Sequence, residues 1–467
     1  MVQSTIRVME RIAGISVSTA FWGALFIVIS AWAGVCILSR QPGDSALIQF
    51  LLLALLMVIA TLAVLWRCHN TGFKLPFRWI LLTAIFLRLM SVTGDPLFED
   101  DFYRYLWDGY QTATTMDPYS HAPEKYFDED VPEIFETVLS FINYPEIATV
   151  YGPVVQWVFA LAYRIAPGEI WPLQLMSALA DIVVIGLLAR LGAGNALLLY
   201  AWSPLVLKEY SLTAHPDVFA IVLMFVSIVA AYRKRALLAG FALALALGAK
   251  IFALLIVPFL FSRVWAIGYW LRLGSATFVS LALITLSFGS IKIWAPEGLL
   301  AMADSWLFNS PLYYLLLPAL SFSSIKAVLL ASFVLYVMVV FFRRFPKASS
   351  ARSSDDDKPQ QWAESPAAFR GDWLFALFLL CLPVINPWYV AWLLPFATLY
   401  PRWWSWTVSY SVLLSYWYGS NVGAIGSDSL QLPVGVLVLE FALVLLIPLT
   451  AWIVLQYRRR IKSQNTY

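Results

Sequence analysis

Apolar runs recur from one end of the chain to the other, separated by short polar or basic stretches. Continuous apolar runs of about 20 residues are typical of transmembrane helices. The first three occupy residues 16–38, 46–66 and 78–93, and the last occupies residues 432–457. Counted along the whole chain, the pattern predicts an all-α polytopic membrane protein with about 12–14 membrane helices.

Two segments depart from this pattern. Residues 94–170 form a long connection with many charged and aromatic side chains, and connections of this length usually carry function. Residues 346–371 are rich in Ser, Asp, Lys and Gln without a core-forming pattern, which predicts a flexible linker. We expect both to belong to a single transmembrane domain that covers residues 1–467.

Clusters of Lys and Arg predict which ends of the apolar runs face the cytoplasm, because cytoplasmic loops are enriched in these residues. With the N-terminus inside, residues 94–170 are extracytoplasmic and the linker is cytoplasmic. The run at residues 151–165 is short for a span and predicts a helix lying on the membrane face. The run at residues 236–261 has cations at both ends, so we expect two short helices broken near Lys250. The basic clusters are Arg7 with Arg11, Arg233 to Arg235, Arg343 with Arg344, and Arg458 to Arg460.

The composition supports the membrane class and excludes others. Hydrophobic residues make up 61% of the 467 positions and charged residues only 13%, whereas soluble domains carry about 25% charged residues. The formal net charge of +3 is too small to favour a nucleic-acid partner. The three cysteines, Cys36, Cys68 and Cys381, fit neither a disulfide framework nor a zinc motif in number or spacing.

The segment at residues 98–109 holds the strongest candidate chemistry. It follows a membrane run directly and contains four carboxylates, one arginine and several aromatic side chains. Charged groups beside a bilayer are costly unless they line a wet cavity or take part in chemistry. Adjacent carboxylates suit proton abstraction or metal binding, so Asp100 and Asp101 are the candidate catalytic residues. The alternative is the solvated start of a loop, where acidic residues are common.

Aromatic and polar residues alternate directly after the two aspartates. Tyr103, Tyr105 and Trp107 alternate with Arg104 and Asp108. Flat ring faces mixed with hydrogen-bonding groups are typical of sugar or headgroup recognition. We therefore expect this stretch to contact a sugar.

These motifs together resemble the integral-membrane glycosyltransferases of the C superfamily (GT-C), and among them the bacterial polyprenyl-phosphate-mannose-dependent mannosyltransferases. The resemblance covers roughly residues 98–396. Two departures concern the acceptor: Tyr151-Gly152-Pro153 replaces a common Tyr-Pro-Pro, and Asn386 replaces a common His before Pro-Trp-Tyr. The motifs are Asp100-Asp101, Tyr103-Arg104-Tyr105-Leu106-Trp107-Asp108-Gly109, Asp117-Pro118-Tyr119, Tyr151-Gly152-Pro153-Val154, Ala214-His215-Pro216-Asp217, Gly248-Ala249-Lys250 and Asn386-Pro387-Trp388-Tyr389.

The resemblance implies a GT-C-like helical bundle with a large first extracytoplasmic loop that carries catalysis. It implies inverting transfer of a hexose, most often mannose, from a polyprenyl-phosphate donor to a glycan or glycolipid acceptor. The enzyme would be a multi-pass protein of the bacterial cytoplasmic (inner) membrane, with the lipid tail of the donor in the bilayer and the active site outside. No cofactor is implied with certainty; a divalent cation, Mg or Mn, would bind Asp100 and Asp101 if one is used.

The resemblance also implies roles for single residues. Asp100 or Asp101 would be the base that deprotonates the acceptor hydroxyl. Arg104 and Lys250 would contact the donor phosphate, although Lys250 has the alternative of a side chain that snorkels to the membrane surface. The sugar or acceptor would contact Tyr103, Trp107, Asp108, His215, Asp217, Trp388 and Tyr389. For His215 the alternative is a hydrogen bond at a helix end. For Trp388 and Tyr389 it is membership of the belt of aromatic residues at the membrane–water interface.

Other classes of membrane protein remain as alternatives. A transporter or flippase of a sugar or lipid-linked glycan would place its ionisable residues at mid-membrane on discontinuous helices. The clustering of carboxylates beside a long extracytoplasmic loop favours an enzyme. A purely structural membrane protein gives no reason for the aspartate pair, and no nucleotide-binding fingerprint is present.

Overall fold

The computed structural model describes residues 2–260, 267–294, 306–344, 370–417 and 432–464. These residues form helices, and the one extended pairing among them is an isolated bridge between Phe308 and Val384. The prediction of an all-α polytopic membrane protein is therefore confirmed. Residues 346–369 of the predicted linker and residues 295–305 lie outside the described residues.

The first part of the chain supplies the helices that surround the long connection. They are α1 (Val2–Arg40), α2 (Ala46–Thr71), α3 (Phe77–Ser91), α4 (Asp101–Thr115), α5 (Glu133–Ser140), α6 (Pro153–Ile165) and α7 (Trp171–Arg190). Helix α6 coincides with the predicted interfacial helix, and a Pro at its first position suits a helix start.

The second part of the chain is more interrupted. Its helices are α8 (Leu197–Ala201), α9 (Pro204–Val206), α10 (Asp217–Tyr232), α11 (Ala236–Ala249), α12 (Val257–Leu260), α13 (Ile267–Phe288), α14 (Pro311–Leu316), α15 (Phe322–Arg344), α16 (Gly371–Leu380), α17 (Pro387–Val390), α18 (Leu394–Leu399), α19 (Trp403–Ser411) and α20 (Val434–Gln464). Helix α11 ends at the predicted break, because Lys250 has extended backbone angles.

Six helices in the described residues are long and apolar enough to cross a membrane, or up to seven if one bent pair counts as a span. They are α1 (over Val17–Arg40), α2, α7, α13, α15 and α20. This is fewer than the about 12–14 spans expected from apolar runs. Several of those runs form helices of only 10 to 15 residues, among them α3, α11 and α16.

The bent pair is the most distorted part of the bundle. The helical stretch Pro204–Leu212 meets α10 at an angle of 109°. Within it, Leu207–Leu212 is π-helical, and Ala214 after it has a φ of 61°. π-Helical turns are frequent at functional sites, and a non-glycine residue at positive φ is uncommon. The bend turns residues 207–217 toward the end of the bundle where α4 begins.

A buried ion pair joins α3 to α7 beneath this region. The guanidinium of Arg88 lies 2.6 Å from a carboxylate oxygen of Asp181, and both side chains are fully buried. The hydroxyl of Tyr200 donates to Asp181 at 2.6 Å, and Arg88 also donates to the carbonyl of Ala201 at 2.9 Å. Removing one partner of such a pair leaves an uncompensated charge, so this group fixes α3, α7 and α8 relative to one another.

Helix α4 packs closely on α6 through one glycine. A Cβ atom placed on Gly109 would lie 2.6 Å from the carbonyl oxygen of Phe159 in α6. Any larger residue would push the two helices apart. The close contact holds α4, and with it Asp100 and Asp101 at its start, against the membrane bundle.

Candidate active site

A cavity of about 1300 Å³ lies at the N-terminal end of α4. Its walls come from the 94–170 connection, the bend around His215, the break at Lys250, and residues 306–308 and 382–389. All but two of the residues predicted for the site line it: Asp100, Asp101, Tyr103, Arg104, His215, Asp217, Lys250, Trp388 and Tyr389. Residues separated by almost 290 positions in the chain therefore share one space.

A strained turn positions the two aspartates in the cavity wall. Phe98 has a φ of 63°, a conformation that bulky residues rarely adopt. Its ring packs against Phe50 at 5.6 Å and Tyr416 at 5.7 Å, which holds the turn in place. Asp100 then occupies the N-cap position of α4 and Asp101 its first turn, where the helix dipole favours negative charge.

The surroundings of the two aspartates differ. Burial and the neighbouring charge of Asp101 raise the pKa of Asp100 to about 7, against a hydrogen bond that the side chain of Asn143 donates. Burial also raises the pKa of Asp101, but the charges of His215 and Lys250 act in the opposite direction. Asp101 therefore interacts with the cations of the cavity, whereas Asp100 interacts with the 94–170 connection through Asn143.

Glu99, directly before them, belongs to a buried network of charges. Its two carboxylate oxygens contact the ammonium of Lys208 and Nε2 of His215. Glu209 adds a second carboxylate, 3.5 Å from Lys208 and 3.2 Å from His215. Burial raises the pKa of Glu99, but the charges of His215 and Lys208 outweigh it and hold the pKa below its usual value. The π-helical stretch supplies Lys208 and Glu209, which do not line the cavity themselves but contact Glu99 and His215, which do.

The imidazole of His215 is held in place by contacts with neighbouring side chains. Its Nδ1 lies 2.8 Å from the hydroxyl of Tyr105, while Nε2 contacts Glu99. Its ring stacks on Trp388 with ring centroids 4.1 Å apart. These contacts fix the imidazole rather than leave it free to rotate. His215 thus connects α4, the bent span and the Asn-Pro-Trp-Tyr motif.

Lys250 is the cation that points most openly into the cavity. Its ammonium lies 2.6 Å from Asp217, and 23% of its side chain remains exposed. The indole of Trp392 donates to the same oxygen of Asp217 at 2.6 Å, and the Lys250 ammonium lies 4.5 Å above the ring of Tyr389. The snorkelling alternative requires a free, flexible side chain, whereas Lys250 is held by an ion pair and a cation–π contact.

The break at Lys250 meets the Tyr-Gly-Pro motif directly. A Cβ atom on Gly152 would lie 2.3 Å from the carbonyl oxygen of Gly248 and 3.0 Å from that of Ala249. Glycine at position 152 therefore lets the connection touch the end of α11. The hydroxyl of Tyr119 donates to the carbonyl of Tyr151 at 3.0 Å, which secures this turn from the other side.

Asp108 and Trp107 lie away from the cavity. Asp108 pairs with Arg104 at 2.9 Å, accepts from Gln156 at 2.9 Å, and contacts the hydroxyl of Thr149. Trp107 is buried with Tyr126 and other aromatics of the connection. Both residues hold the connection together. Arg104 lines the cavity, but its guanidinium is also bound to the carbonyl of Ile147 at 2.9 Å.

One group of side chains has the composition of a metal site. Glu99, Glu209 and His215 offer ligand atoms within 4.8 Å of one another, the one such trio in the described part of the chain. The ammonium of Lys208 contacts both carboxylates and compensates their charge, which suits an internal ion-pair network better than a bound cation. Asp100 and Asp101, the expected ligands of a divalent cation, are not members of this trio.

The sequence pattern did not single out several residues that form the site. Lys208 and Glu209 lie within an apolar run. Charged residues in such a run usually have a functional role, and this signal could have identified them. Asn143 and Tyr416 line the cavity without belonging to any motif. Glu99 was noted as part of the acidic cluster, but its role depends on these distant partners.

The sequence also matches a known protein family. Residues 11–267 match the model of a family described as alpha-(1->6)-mannopyranosyltransferase, N-terminal domain. The matched range is more than half of the 467 residues and contains the aspartate pair, the bent span and Lys250. No curated protein and no solved structure matches the chain at a significant level.

Proposed function

Because the chain belongs to the alpha-(1->6)-mannopyranosyltransferase family, we propose that it transfers mannose from a polyprenyl-phosphate donor to a glycan or glycolipid acceptor. Membership of this family makes the protein a mannosyltransferase, and its apolar helices make it a multi-pass membrane protein. The transporter alternative is thereby set aside. The donor, the membrane face and the mechanism described below are the proposal.

The arrangement of charge around the aspartate pair carries this proposal. The positive charges that act on Asp101 are those of His215, Lys250 and Lys208. Asp100 accepts from the neutral amide of Asn143. A sugar transferase needs a cationic place for the leaving phosphate, a carboxylate base, and room for a neutral acceptor. Lys250, Asp100 and Asn143 all line the cavity and are our candidates for these three.

We assign the phosphate of the donor to Lys250. This ammonium is partly exposed to the cavity and is already oriented by Asp217, so little reorganisation is needed when charge develops on the leaving oxygen. Trp388 and Tyr389 flank it and would contact the mannose ring or the first part of the lipid. Arg104 is a weaker candidate because Asp108 and the carbonyl of Ile147 occupy its guanidinium.

We assign the base to Asp100. A general base works best when its pKa lies near the working pH, and the pKa of Asp100 is raised to about 7. The acceptor oxygen would attack the anomeric carbon while its proton passes to the Asp100 carboxylate. The bond from the anomeric carbon to the phosphate oxygen breaks, and its electron pair leaves with polyprenyl phosphate. Inversion gives an alpha linkage only from a donor in the beta configuration.

We propose that the reaction takes place at the outer face of the cytoplasmic membrane. The distribution of Lys and Arg supports this side for residues 94–170. Irregular backbone at membrane depth is tolerated only around a shielded or water-filled space. A cavity at the ends of broken helices is such a space, and it suits a donor whose tail lies in the membrane. The lipid tail would remain among the membrane helices while the mannosyl phosphate enters the cavity.

A transfer assay with defined donors tests the proposal. Purified protein in nanodiscs would receive radiolabelled beta-mannosyl polyprenyl phosphate or labelled GDP-mannose, each with an alpha-mannoside acceptor. We expect labelled product from the lipid donor alone, sensitive to an alpha-1,6-specific mannosidase. Transfer from GDP-mannose but not from the lipid donor would refute the donor, and a mannosidase-resistant product would refute the linkage.

A further inference from the structure

Four aromatic side chains line the part of the cavity that faces the extracytoplasmic connection. We call Tyr103, Phe141, Tyr144 and Trp306 the aromatic strip, and all four belong to the cavity wall. Tyr103 and Phe141 stack with centroids 5.0 Å apart and an interplanar angle of 21°. The rings of Tyr144 and Trp306 meet at 4.5 Å. The proposed reaction has not assigned any role to three of the four.

The strip presents open ring surface and is held in an unusual backbone conformation. Phe141 is 54% exposed, although it is a large apolar residue at a cavity wall. Tyr144 has a φ of 52°, a strained value for a bulky residue. Hydrogen bonds secure this turn: Ile147 donates to the carbonyl of Tyr144 at 3.0 Å, and Glu124 to that of Pro145 at 2.9 Å. Strain maintained by surrounding contacts is common where a side chain must be presented to a ligand.

The strip also differs in charge from another part of the cavity wall. Lys250, His215 and Asp217 line the same cavity and carry ionisable groups, whereas the strip contains no ionised side chain. Asn143, between Phe141 and Tyr144 in the chain, donates to Asp100 and is itself at the cavity surface. Arg104 follows Tyr103 on α4, but its guanidinium is bound to Asp108 and to the carbonyl of Ile147. An uncharged ligand with flat apolar faces and hydroxyl groups matches this wall.

We propose that the aromatic strip is the acceptor subsite and that it binds an uncharged oligosaccharide of at least two sugar units. This inference rests on the proposed function, because the link between the strip and the proposed base is Asn143, which donates to Asp100. The two ring pairs would stack on successive sugar faces. Asn143 would then hold the reacting hydroxyl beside Asp100. Lys250 remains available for the donor phosphate.

Binding and kinetics of single variants test the subsite. The probes are the octyl glycosides of alpha-mannose and of an alpha-linked dimannoside, with a dimannoside phosphate as the charged comparison. The variants are Trp306→Ala and Phe141→Ala. The matched control is Phe127→Ala, because Phe127 is 52% exposed on the same connection but does not line the cavity. Acceptor binding is measured by microscale thermophoresis, and KM for donor and acceptor by radiolabel transfer.

We expect Trp306→Ala and Phe141→Ala each to raise the acceptor Kd and KM about tenfold, since one aromatic contact contributes about 1 kcal/mol or somewhat more. Donor KM and kcat at saturating acceptor should stay unchanged, Phe127→Ala should match wild type, and the dimannoside should bind more tightly than the monosaccharide. Unchanged acceptor Kd in both variants, or preference for the phosphorylated dimannoside, would overturn the subsite. Weaker acceptor binding in the variants together with no transfer by wild type would refute the proposed function and leave the glycan site standing.

Discussion

Lys250 and Asp217 form an ion pair in the wall of the cavity, with the ammonium nitrogen 2.6 Å from a carboxylate oxygen. The carboxylate is almost fully buried and also accepts from Trp392, whereas the lysine is partly exposed. Both residues line the cavity, and the ammonium is the more exposed of the two groups. We expect Asp217 to position the cation, and its contact with the sugar stays a prediction.

The first prediction separates these two roles. Lys250→Met should weaken donor binding strongly, and Lys250→Arg should keep part of it, because only the arginine retains the charge. Lys250→Met also leaves Asp217 buried without its partner, which is destabilising by about 3–5 kcal/mol. The double variant Lys250→Met/Asp217→Asn should recover thermal stability but not donor binding. Equal donor affinity in all of these proteins would exclude Lys250 as the phosphate ligand.

The second prediction concerns the base. Asp100→Asn should lower kcat by about 10²–10⁴-fold, because general-base catalysis contributes a factor of this size. Donor affinity and folding should stay near wild type, since an amide of the same shape can still accept from Asn143. Asp101→Asn is the comparison, and it should affect donor binding as well because Asp101 faces the cations. Normal turnover in Asp100→Asn would show that Asp100 is not the base. Either Asp101 would then be the base, or neither aspartate would be.

The third prediction is a pH profile. Burial and the charge of Asp101 raise the pKa of Asp100 to about 7, and only the deprotonated carboxylate can accept the acceptor proton. The rate at low acceptor concentration should therefore rise with pH up to about 7 and then level off. The residual activity of Asp100→Asn should lack this rise. A rate that is flat between pH 5 and pH 8 in the wild type would contradict the assignment of Asp100, because its carboxylate would then not control the reaction.

The fourth prediction concerns the contact between the connection and the break in α11. Gly152→Ala should lower both thermal stability and transfer, because its Cβ would lie 2.3 Å from the carbonyl oxygen of Gly248. Backbone cannot move aside as cheaply as a flexible side chain. Gly186→Ala is the control, since a Cβ there meets nothing within 4 Å. Comparable melting temperatures in the two variants would show that the close approach is not needed.

The fifth prediction tests the membrane orientation. In a cysteine-free background, Glu124→Cys should react with an impermeant maleimide added outside intact cells, and Asn70→Cys should react only after permeabilisation. Both positions are exposed in the structure, and the charge pattern assigns them to opposite faces. The reverse labelling pattern would place the aspartate pair in the cytoplasm.

The sequence predicted the helical class and nine residues of the cavity wall, because both depend on local signals. Apolar runs mark membrane helices, and motifs such as the aspartate pair or Asn386-Pro387-Trp388 mark their interruptions. The described residues contain fewer helices of spanning length than expected, since an apolar run can equally form a short helix such as α11. Run length alone does not tell these apart.

The mixture of aromatic and polar residues predicted that the whole stretch from Tyr103 to Asp108 contacts a sugar. Alternation places side chains on one face only in an extended strand, whereas α4 is a helix. Successive residues turn by about 100°, so Tyr105 points away from Tyr103, toward His215. Trp107 lies one turn further along and packs within the connection. The partners of Glu99 could not be predicted at all, because Lys208 lies 109 residues away.

The contact between Tyr144 and Trp306 crosses the end of the family-matched range, residues 11–267. The chemistry-bearing carboxylates and Lys250 lie within that range, but the partner ring lies beyond it. Exchanging only residues 11–267 between two related enzymes would therefore combine Tyr144 of one enzyme with the residue at position 306 of the other. Activity in such chimeras should survive only where the incoming and resident halves agree at this contact.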